Sequence, residues 1–285
     1  MILTIDIICP LYNAESYLVN LHQSLLKQEN VSLNKIHYIL TKSNDDSEKI
    51  LKSFNKKDCD YEIIQKNEFS HSLVREKAGF KSNADIIVFV TQDIKIKTVD
   101  WLEKLVKPIL NNEAQATYSR QISKYNTIEK YTREKNYPEN SKIKSKQDIE
   151  QLGINTFFFS DASSAIKKDV FVTLNGYDGK NLPINEDMYI AYKIIINNYK
   201  IKYCADSVIY HSHDFTLKEL YNRYKLIGKF FKENKYLDQY GTNKSGSGLA
   251  KYIFKRALQE KNLKVLLKYP FDMMIRFIGM KVGKR

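Results

Sequence analysis

The chain is short of cysteine, of glycine-rich phosphate loops, of long apolar runs and of acid, and each shortage bears on function. Its three cysteines, Cys9, Cys59 and Cys204, are odd in number and scattered, with no CxxC spacing. That argues against a disulfide framework and a zinc cage and fits a reducing compartment. Neither GxGxxG nor GxxxxGK[ST] occurs, which counts against a dinucleotide oxidoreductase and a P-loop NTPase. No segment approaches the roughly 20 apolar residues that a membrane span needs. Ile2–Cys9 does not read as a signal peptide: it is short, carries Asp6, lacks a basic leader and runs directly into Pro10. The expectation is a soluble, cytoplasmic chain, bound at most to the inner face of the plasma membrane. Against 46 Lys and Arg stand only 33 Asp and Glu, a formal charge of +13. Such an excess implies an anionic partner: nucleic acid, anionic lipid or a phosphorylated substrate.

What is present is a globular chain of 285 residues, 43% of them hydrophobic, long enough for one large domain with an appendage. The first half alternates strands and helices. Leu3–Cys9 reads as a strand, Pro10-Leu11-Tyr12-Asn13 as a turn, and Glu15–Lys27 as a helix through Tyr17, Leu18, Leu21, Leu25 and Leu26. Ile36–Thr41 is a second strand, followed by the polar loop Lys42–Ser47 and a helix through Ile50, Leu51 and Phe54. Tyr61–Gln65 is a third strand, and Ser70 or Ser72 caps a helix carrying Arg75. Then comes the most informative stretch: Asp85–Val90 (D-I-I-V-F-V) runs straight into Thr91-Gln92-Asp93. A run that apolar is a buried parallel strand, and ligands of open α/β sheets sit just beyond the carboxyl ends of such strands. A carboxylate there can hold a divalent cation and, through it, a phosphate-bearing substrate.

The second half is less regular. Tyr118–Lys146, polar and rich in tyrosine and lysine, reads as a surface excursion whose tyrosines could stack on sugars or simply be solvated. Thr156–Ala165 reads as a buried strand and turn containing Asp161. Asn185-Glu186-Asp187 opens a helix to Asn198, Lys202–Cys204 and Val208–Tyr210 are extended, and His211-Ser212-His213 closes that strand. Leu217–Phe231 is a further helix, and Gly241–Gly248 a flexible break. The tail, 249–285, carries ten basic residues against Glu260 and Asp272, interleaved with Phe, Leu and Met. A basic amphipathic helix of this kind fits an anionic membrane surface, and equally a solvated helix packed on the main domain.

In order, I-D-I-I-C-P-L-Y-N-A-E, R-E-K-A-G, V-F-V-T-Q-D, N-G-Y-D and N-E-D resemble family-2 inverting glycosyltransferases of the GT-A fold. F-V-T-Q-D with the later E-D and Y-H-S-H looks most like bacterial rhamnosyltransferases. The resemblance covers about residues 3–233. It implies an α/β GT-A fold with a mostly parallel central sheet and a C-terminal helical extension. The glycosyltransferase domain would span 1–240, with the nucleotide-sugar half over about 1–115 and the acceptor half over 116–240, and 241–285 would be the basic tail. The implied reaction moves a sugar, L-rhamnose from dTDP-rhamnose, to a saccharide or lipid-linked acceptor in cell-surface polysaccharide synthesis. Its implied cofactor is Mg²⁺ or Mn²⁺, and its donor a dTDP- or UDP-sugar.

By the same resemblance Asp187 is the general base, with Glu186 placing it or touching the acceptor. Pro10, Tyr12, Asn13, Glu15, Thr41, Ser43, Arg75, Gln92 and Asp93 would contact the donor, Asp161 the acceptor, and Asp93, His211 and His213 the metal. Two positions depart from the family pattern. Thr41 stands where the base-binding acid usually lies, which fits a thymidine-linked donor at least as well as a uridine-linked one. The D-x-D motif is Thr91-Gln92-Asp93, which leaves Asp93 as its metal-binding acid. Plainer roles also fit: helix capping for the Glu186–Asp187 pair, a salt bridge for Arg75, satisfied histidines at 211 and 213. Asp161, among apolar residues, needs a partner in any case. Two rivals explain less. A sugar nucleotidyltransferase wants a glycine-rich basic loop after the first strand, and Pro10–Glu15 offers neither glycine nor base. A basic module binding anionic lipid or nucleic acid accounts for the charge but not for carboxylates at strand and helix ends, and a specific nucleic-acid partner is not expected.

Overall fold

The computed structural model describes residues 3–285; the side chains of residues 242–245 lie outside the described set. The chain begins β1 (Thr4–Leu11), α1 (Glu15–Leu26), β2 (Ser32–Thr41), α2 (Ser47–Ser53), β3 (Cys59–Ile64), α3 (His71–Lys81) and β4 (Ile86–Val90). It continues β5 (Lys95–Ile96), α4 (Trp101–Leu110), β6 (Ala116–Ile122), α5 (Ile128–Asn136), β7 (Lys142–Lys144), α6 (Ile149–Leu152), β8 (Ser163–Lys167) and α7 (Lys168–Thr173). Last come α8 (Glu186–Ile196), β9 (Ile201–Tyr210), α9 (Leu217–Glu233), α10 (Lys235–Asp238), α11 (Thr242–Gln259) and α12 (Leu263–Lys284).

One sheet runs β3-β2-β1-β4-β8-β6-β9-β5, with β7 also on β9. The first four strands are parallel, as right-handed βαβ crossovers require. β8 enters antiparallel between β4 and β6, so the sheet is parallel in its N-terminal half and mixed in the other. Helices cover both faces. On one side Leu18, Leu21 and Leu25 of α1, Leu51 of α2 and Trp101, Leu102, Leu105 and Val106 of α4 meet the inner residues of β1, β2 and β4. On the other, Val74 and Ala78 of α3, Phe171 of α7 and the Ile190–Ile195 face of α8 close a second core. Between β1 and β4 the strand order reverses, with β2 on the far side of β1, and this switch point opens the crevice at the strands' carboxyl ends.

Several local expectations change. Pro10 and Leu11 extend β1 instead of turning; pairing with β4 ends at Ile8, so the N–H that proline lacks falls where no β4 partner stands. Ser70, not Ser72, caps α3 by accepting a hydrogen bond from the Leu73 amide. Thr156–Ala165, expected as strand and turn, is the end of a 3₁₀ helix (Gly153–Phe157), a loop holding Asp161 and the first residues of β8. The supposed surface excursion holds β6, a central strand. Its polar residues misled because they are buried and paired: Thr117 Oγ1 donates to Leu105 O at 2.7 Å, and Trp101 Nε1 donates to Ser119 Oγ at 3.0 Å. Ser119 also meets Ser207 at 2.9 Å. A buried hydroxyl is inexpensive once its bonds are made. The break expected over Gly241–Gly248 is helical from Thr242 onward.

α12 lies along α9. Three glycines make this approach close: a Cβ on Gly279 would stand 2.8 Å from Tyr221 O, and Gly228 and Gly283 face backbone with no room for a side chain. We expect Gly279→Val to force the helices apart at an overpacking cost of about 1–3 kcal/mol. Thermal unfolding of the variant should show a midpoint lowered by several degrees; an unchanged midpoint would mean that the contact does not bear on stability.

Candidate active site

The loops after β1 and β4 face each other across the switch point. The Tyr12 amide donates to Gln92 Oε1 at 2.7 Å, and Gln92 Nε2 donates to Tyr12 O at 2.8 Å, so one amide side chain ties the two loops by both its ends. Asn13 holds a left-handed φ of 48°, which asparagine tolerates, and turns the chain into α1. The loop after β2 is organised by Asp45. It accepts from Ser43 Oγ at 2.6 Å, Ser47 Oγ at 2.8 Å and the Glu15 amide at 3.0 Å. Burial opposes its ionised form, but these donors hold its carboxyl down at about 2. Glu15 returns the contact by accepting from the Asp46 amide at 3.2 Å. Lys66 lies over the Tyr12 ring at 5.2 Å. Two buried hydroxyls at these strand ends, Thr41 Oγ1 and Thr91 Oγ1, find no hydrogen-bond partner among the described residues.

Asp93 follows β4 and meets the end of β9. His211 Nε2 stands 3.4 Å and His213 Nδ1 3.8 Å from Asp93 Oδ2, and one ligand atom from each of the three residues lies within 4.8 Å of the others. Burial works against the Asp93 carboxylate, yet the His211 bond and the charges of both histidines hold its carboxyl well below the usual range. Burial, with His211 beside it, lowers His213 to about 4, so that imidazole is neutral at neutral pH, as a metal ligand must be.

Behind His211 lies a chain of polar groups. Its Nδ1 sits 2.9 Å from Gln121 Oε1. The same oxygen accepts from Arg133, while Gln121 Nε2 donates to Ser160 Oγ at 2.8 Å. Gln121 Oε1 can only accept, so His211 Nδ1 carries a proton, and Nε2, the nitrogen facing Asp93, is the one that would bind a cation held between them. Arg133 is fixed in turn by Glu129, one helical turn back, at 2.6 Å. One carboxylate and two imidazoles, with the tautomer of one preset, fit a divalent cation, and imidazole nitrogen favours a transition ion such as Mn²⁺ over Mg²⁺, which prefers an all-oxygen octahedron.

The acid pair occupies the other wall. Asn185, at a left-handed φ of 58°, starts α8, and Glu186 and Asp187 fill its first turn, where the macrodipole favours acids. Glu186 is paired with Arg75 at 3.6 Å. Arg75 is 2% exposed and donates to His71 O at 2.9 Å. Expected at a donor phosphate, it is placed in this structure behind the acid pair. Asp161, expected at the acceptor, is 2% exposed, and its oxygens accept from Tyr177 OH at 2.7 Å and Ser164 Oγ at 2.8 Å. Asp187 keeps some exposure and, among the described residues, accepts from its own helix, the Met188 amide at 2.7 Å. Burial first, then the neighbouring Glu186 and Asp161, push its carboxyl well above the ordinary range, with Arg223 of α9 opposing.

The structure thus gathers Tyr12, Asn13, Glu15, Ser43, Gln92 and Asp93 around the strand ends, with Pro10 just behind in β1 and Thr41 closing β2. It joins Asp93 to His211 and His213. Gln121, Arg133, Asp45, Lys66 and Arg223 escaped the sequence reading. Only Asp45 and the Glu129–Arg133 spacing of four left any local mark; Gln121 reaches His211 across 90 residues.

The glycosyl transferase family 2 model matches residues 6–174. The O-antigen chain rhamnosyltransferase RfbN of Salmonella typhimurium is 30% identical across 98% of this chain and 89% of its own length. WbaN of Salmonella anatum, also an O-antigen chain rhamnosyltransferase, is 28% identical across 98% and 88%. Among solved structures, the mannosyltransferase PcManGT of Pyrobaculum calidifontis, in complex with GDP-Man and Mn²⁺, aligns over 100% of this chain and 89% of its own with a TM-score of 0.64 at 13% identity. S. aureus TarS 1–349 aligns over 79% of this chain with a TM-score of 0.58 at 16% identity, and the chain spans 64% of that structure's length. These likenesses show the GT-A fold. With a family model spanning more than half of its residues, the chain belongs to glycosyl transferase family 2 and is a glycosyltransferase.

Proposed function

We propose that this chain transfers L-rhamnose from dTDP-rhamnose, with inversion, to a saccharide or lipid-linked acceptor of a surface polysaccharide. The observation that carries the reading is an Asp-His-His ligand set at the strand ends together with a partly exposed carboxylate of raised proton affinity at the start of α8, both of which feel the charge of Arg223. The rhamnosyltransferase relatives named above, similar along nearly their whole lengths, supply the sugar. Thr41, a neutral hydroxyl without a partner, supports a thymine-bearing donor.

In this reading Tyr12, Asn13, Ser43 and Gln92 line the nucleoside end. Asp93, His211 and His213 hold the divalent cation, which when bound compensates the charge on the departing diphosphate. Asp187 accepts the proton of the acceptor hydroxyl as its oxygen bonds to the anomeric carbon, and the bond from that carbon to the diphosphate oxygen breaks on the opposite face. Glu186, held by Arg75, fixes the helix turn that aims Asp187. A base needs a proton affinity near working pH, and the burial and carboxylate neighbours of Asp187 supply it.

Three outcomes follow. Asp187→Asn should lower kcat by about 10²–10⁴-fold with dTDP binding by calorimetry nearly unchanged; loss of binding as well would make Asp187 a donor ligand or a structural residue. The pH profile of kcat should show an acid limb above the ordinary carboxylate range of about 4: Asp187 is protonated and inactive below its raised pKa, so activity grows as pH rises through it. A limb at or below 4 would remove Asp187 as the base. Gln121→Leu deletes the acceptor for His211 Nδ1 and should weaken Mn²⁺ binding in the presence of dTDP by about 10–100-fold. Unaltered Mn²⁺ affinity would exclude the Asp93–His211–His213 set as the cation site.

A further inference from the structure

Among the described residues no helix is long and apolar enough to cross a membrane, yet α12 presents a row of large apolar side chains to solvent. Leu263 is 70% exposed, Leu267 76%, Phe271 58%, Met274 51% and Phe277 67%. Their spacing of four, four, three and three places them on one side of the helix. The opposite side is spoken for: Val265, Asp272 and Gly279 are buried against the protein. α11 adds Phe254 and Leu258, 48% and 57% exposed, and Phe254 touches Tyr269 of α12 with ring centroids 5.6 Å apart. A 22-residue helix is about 33 Å long, so the apolar ridge exceeds anything scattered surface leucines would make.

The charges around this ridge are of one sign and unspent. No carboxylate of the described residues lies within ion-pair distance of Lys251, Lys255, Lys261, Lys264 or Lys281, all exposed. The acids of the tail are consumed internally, Glu260 by Lys130 and Arg256 and Asp272 by Arg276. An apolar ridge edged by free lysines, with its acids neutralised, matches a surface that is itself apolar beneath an anionic rim.

We infer that the exposed face of α12, extended by α11, lies in the interface of an anionic lipid bilayer. The face is tied to the cleft. The glycine contacts fix α12 on α9, Arg276 donates to Tyr224 OH at 2.6 Å, and Lys268 reaches Asp214, next to His213, at 3.9 Å. Docking therefore sets the cleft mouth at a fixed height and tilt above the lipid. A cut after Gly248 would strip the cover from α9, so point substitutions on the outer face are the cleaner probe.

The test is co-sedimentation of the full chain with phosphatidylglycerol–phosphatidylcholine vesicles and with phosphatidylcholine alone, at two salt concentrations. Binding to the anionic vesicles should weaken at high salt. Leu267→Glu with Phe277→Glu should cut it at least tenfold, and Lys264→Glu with Lys281→Glu several-fold or more, both pairs keeping the wild-type thermal midpoint. Absence of wild-type binding would overturn the inference, as would variants that fold and bind like the parent. So would a wild-type dimer in sedimentation velocity that Leu267→Glu with Phe277→Glu splits, since a second copy would then cover the face. The vesicle readout involves neither donor nor transfer, so its failure and that of the rhamnosyl reading are separable.

Discussion

Two carboxylates share one buried guanidinium, and a third lies beside them. Arg75 is paired with Glu186 and lies close enough to Asp161 for their charges to act on each other, and Asp187 feels both of those acids. A carboxylate taken out of water without a partner is costly, so these groups settle unequally. Glu186 takes the ion pair, Asp161 takes two hydroxyl donors, and Asp187, partly exposed, accepts from its own helix amide. In the proposed reaction this leftover acid is the base. Its proton affinity follows from how the rest of the cluster is satisfied.

The opposite wall repeats the pattern with other groups. Glu129 fixes Arg133, Arg133 and Ser160 fix the Gln121 amide, and Gln121 decides which nitrogen of His211 is free. The strand that carries Gln121 also carries Ser119, which Trp101 and Ser207 hold in the interior. Polar residues inside β6 thus join the sheet, the α4 cover and the ligand set in one connected network, in which each bond restricts the next.

The N-terminal half was legible because its strands are apolar and its helices periodic: β4 could be read from D-I-I-V-F-V, α3 from Ser70, and the strand-end placement of Asp93 from both. The C-terminal half was not, for a physical reason. β6 buries threonine, serine and glutamine, and composition cannot separate buried hydroxyls with partners from solvated ones. The triad of Asp93, His211 and His213 was within reach through a motif resemblance. Its support was not, since Gln121 and Arg133 are ordinary residues in a polar stretch until the fold brings them to His211. Arg75 and Asp161, charged residues beside motif positions and read as ligand contacts, are buried and paired within the protein, which local sequence does not reveal.

The glycine contacts between α9 and α12 divide the last helix into two surfaces with different freedom to vary. On the inner side the backbones nearly touch, so Gly228, Gly279 and Gly283 admit no larger residue without moving α9 and the Arg223 it carries toward Asp187. On the outer side Leu263, Leu267 and Phe277 are largely exposed, and other apolar residues fit there without a clash. Sequence drift in such a helix is channelled outward: related chains can diverge in what their last helix touches while the cleft keeps its shape.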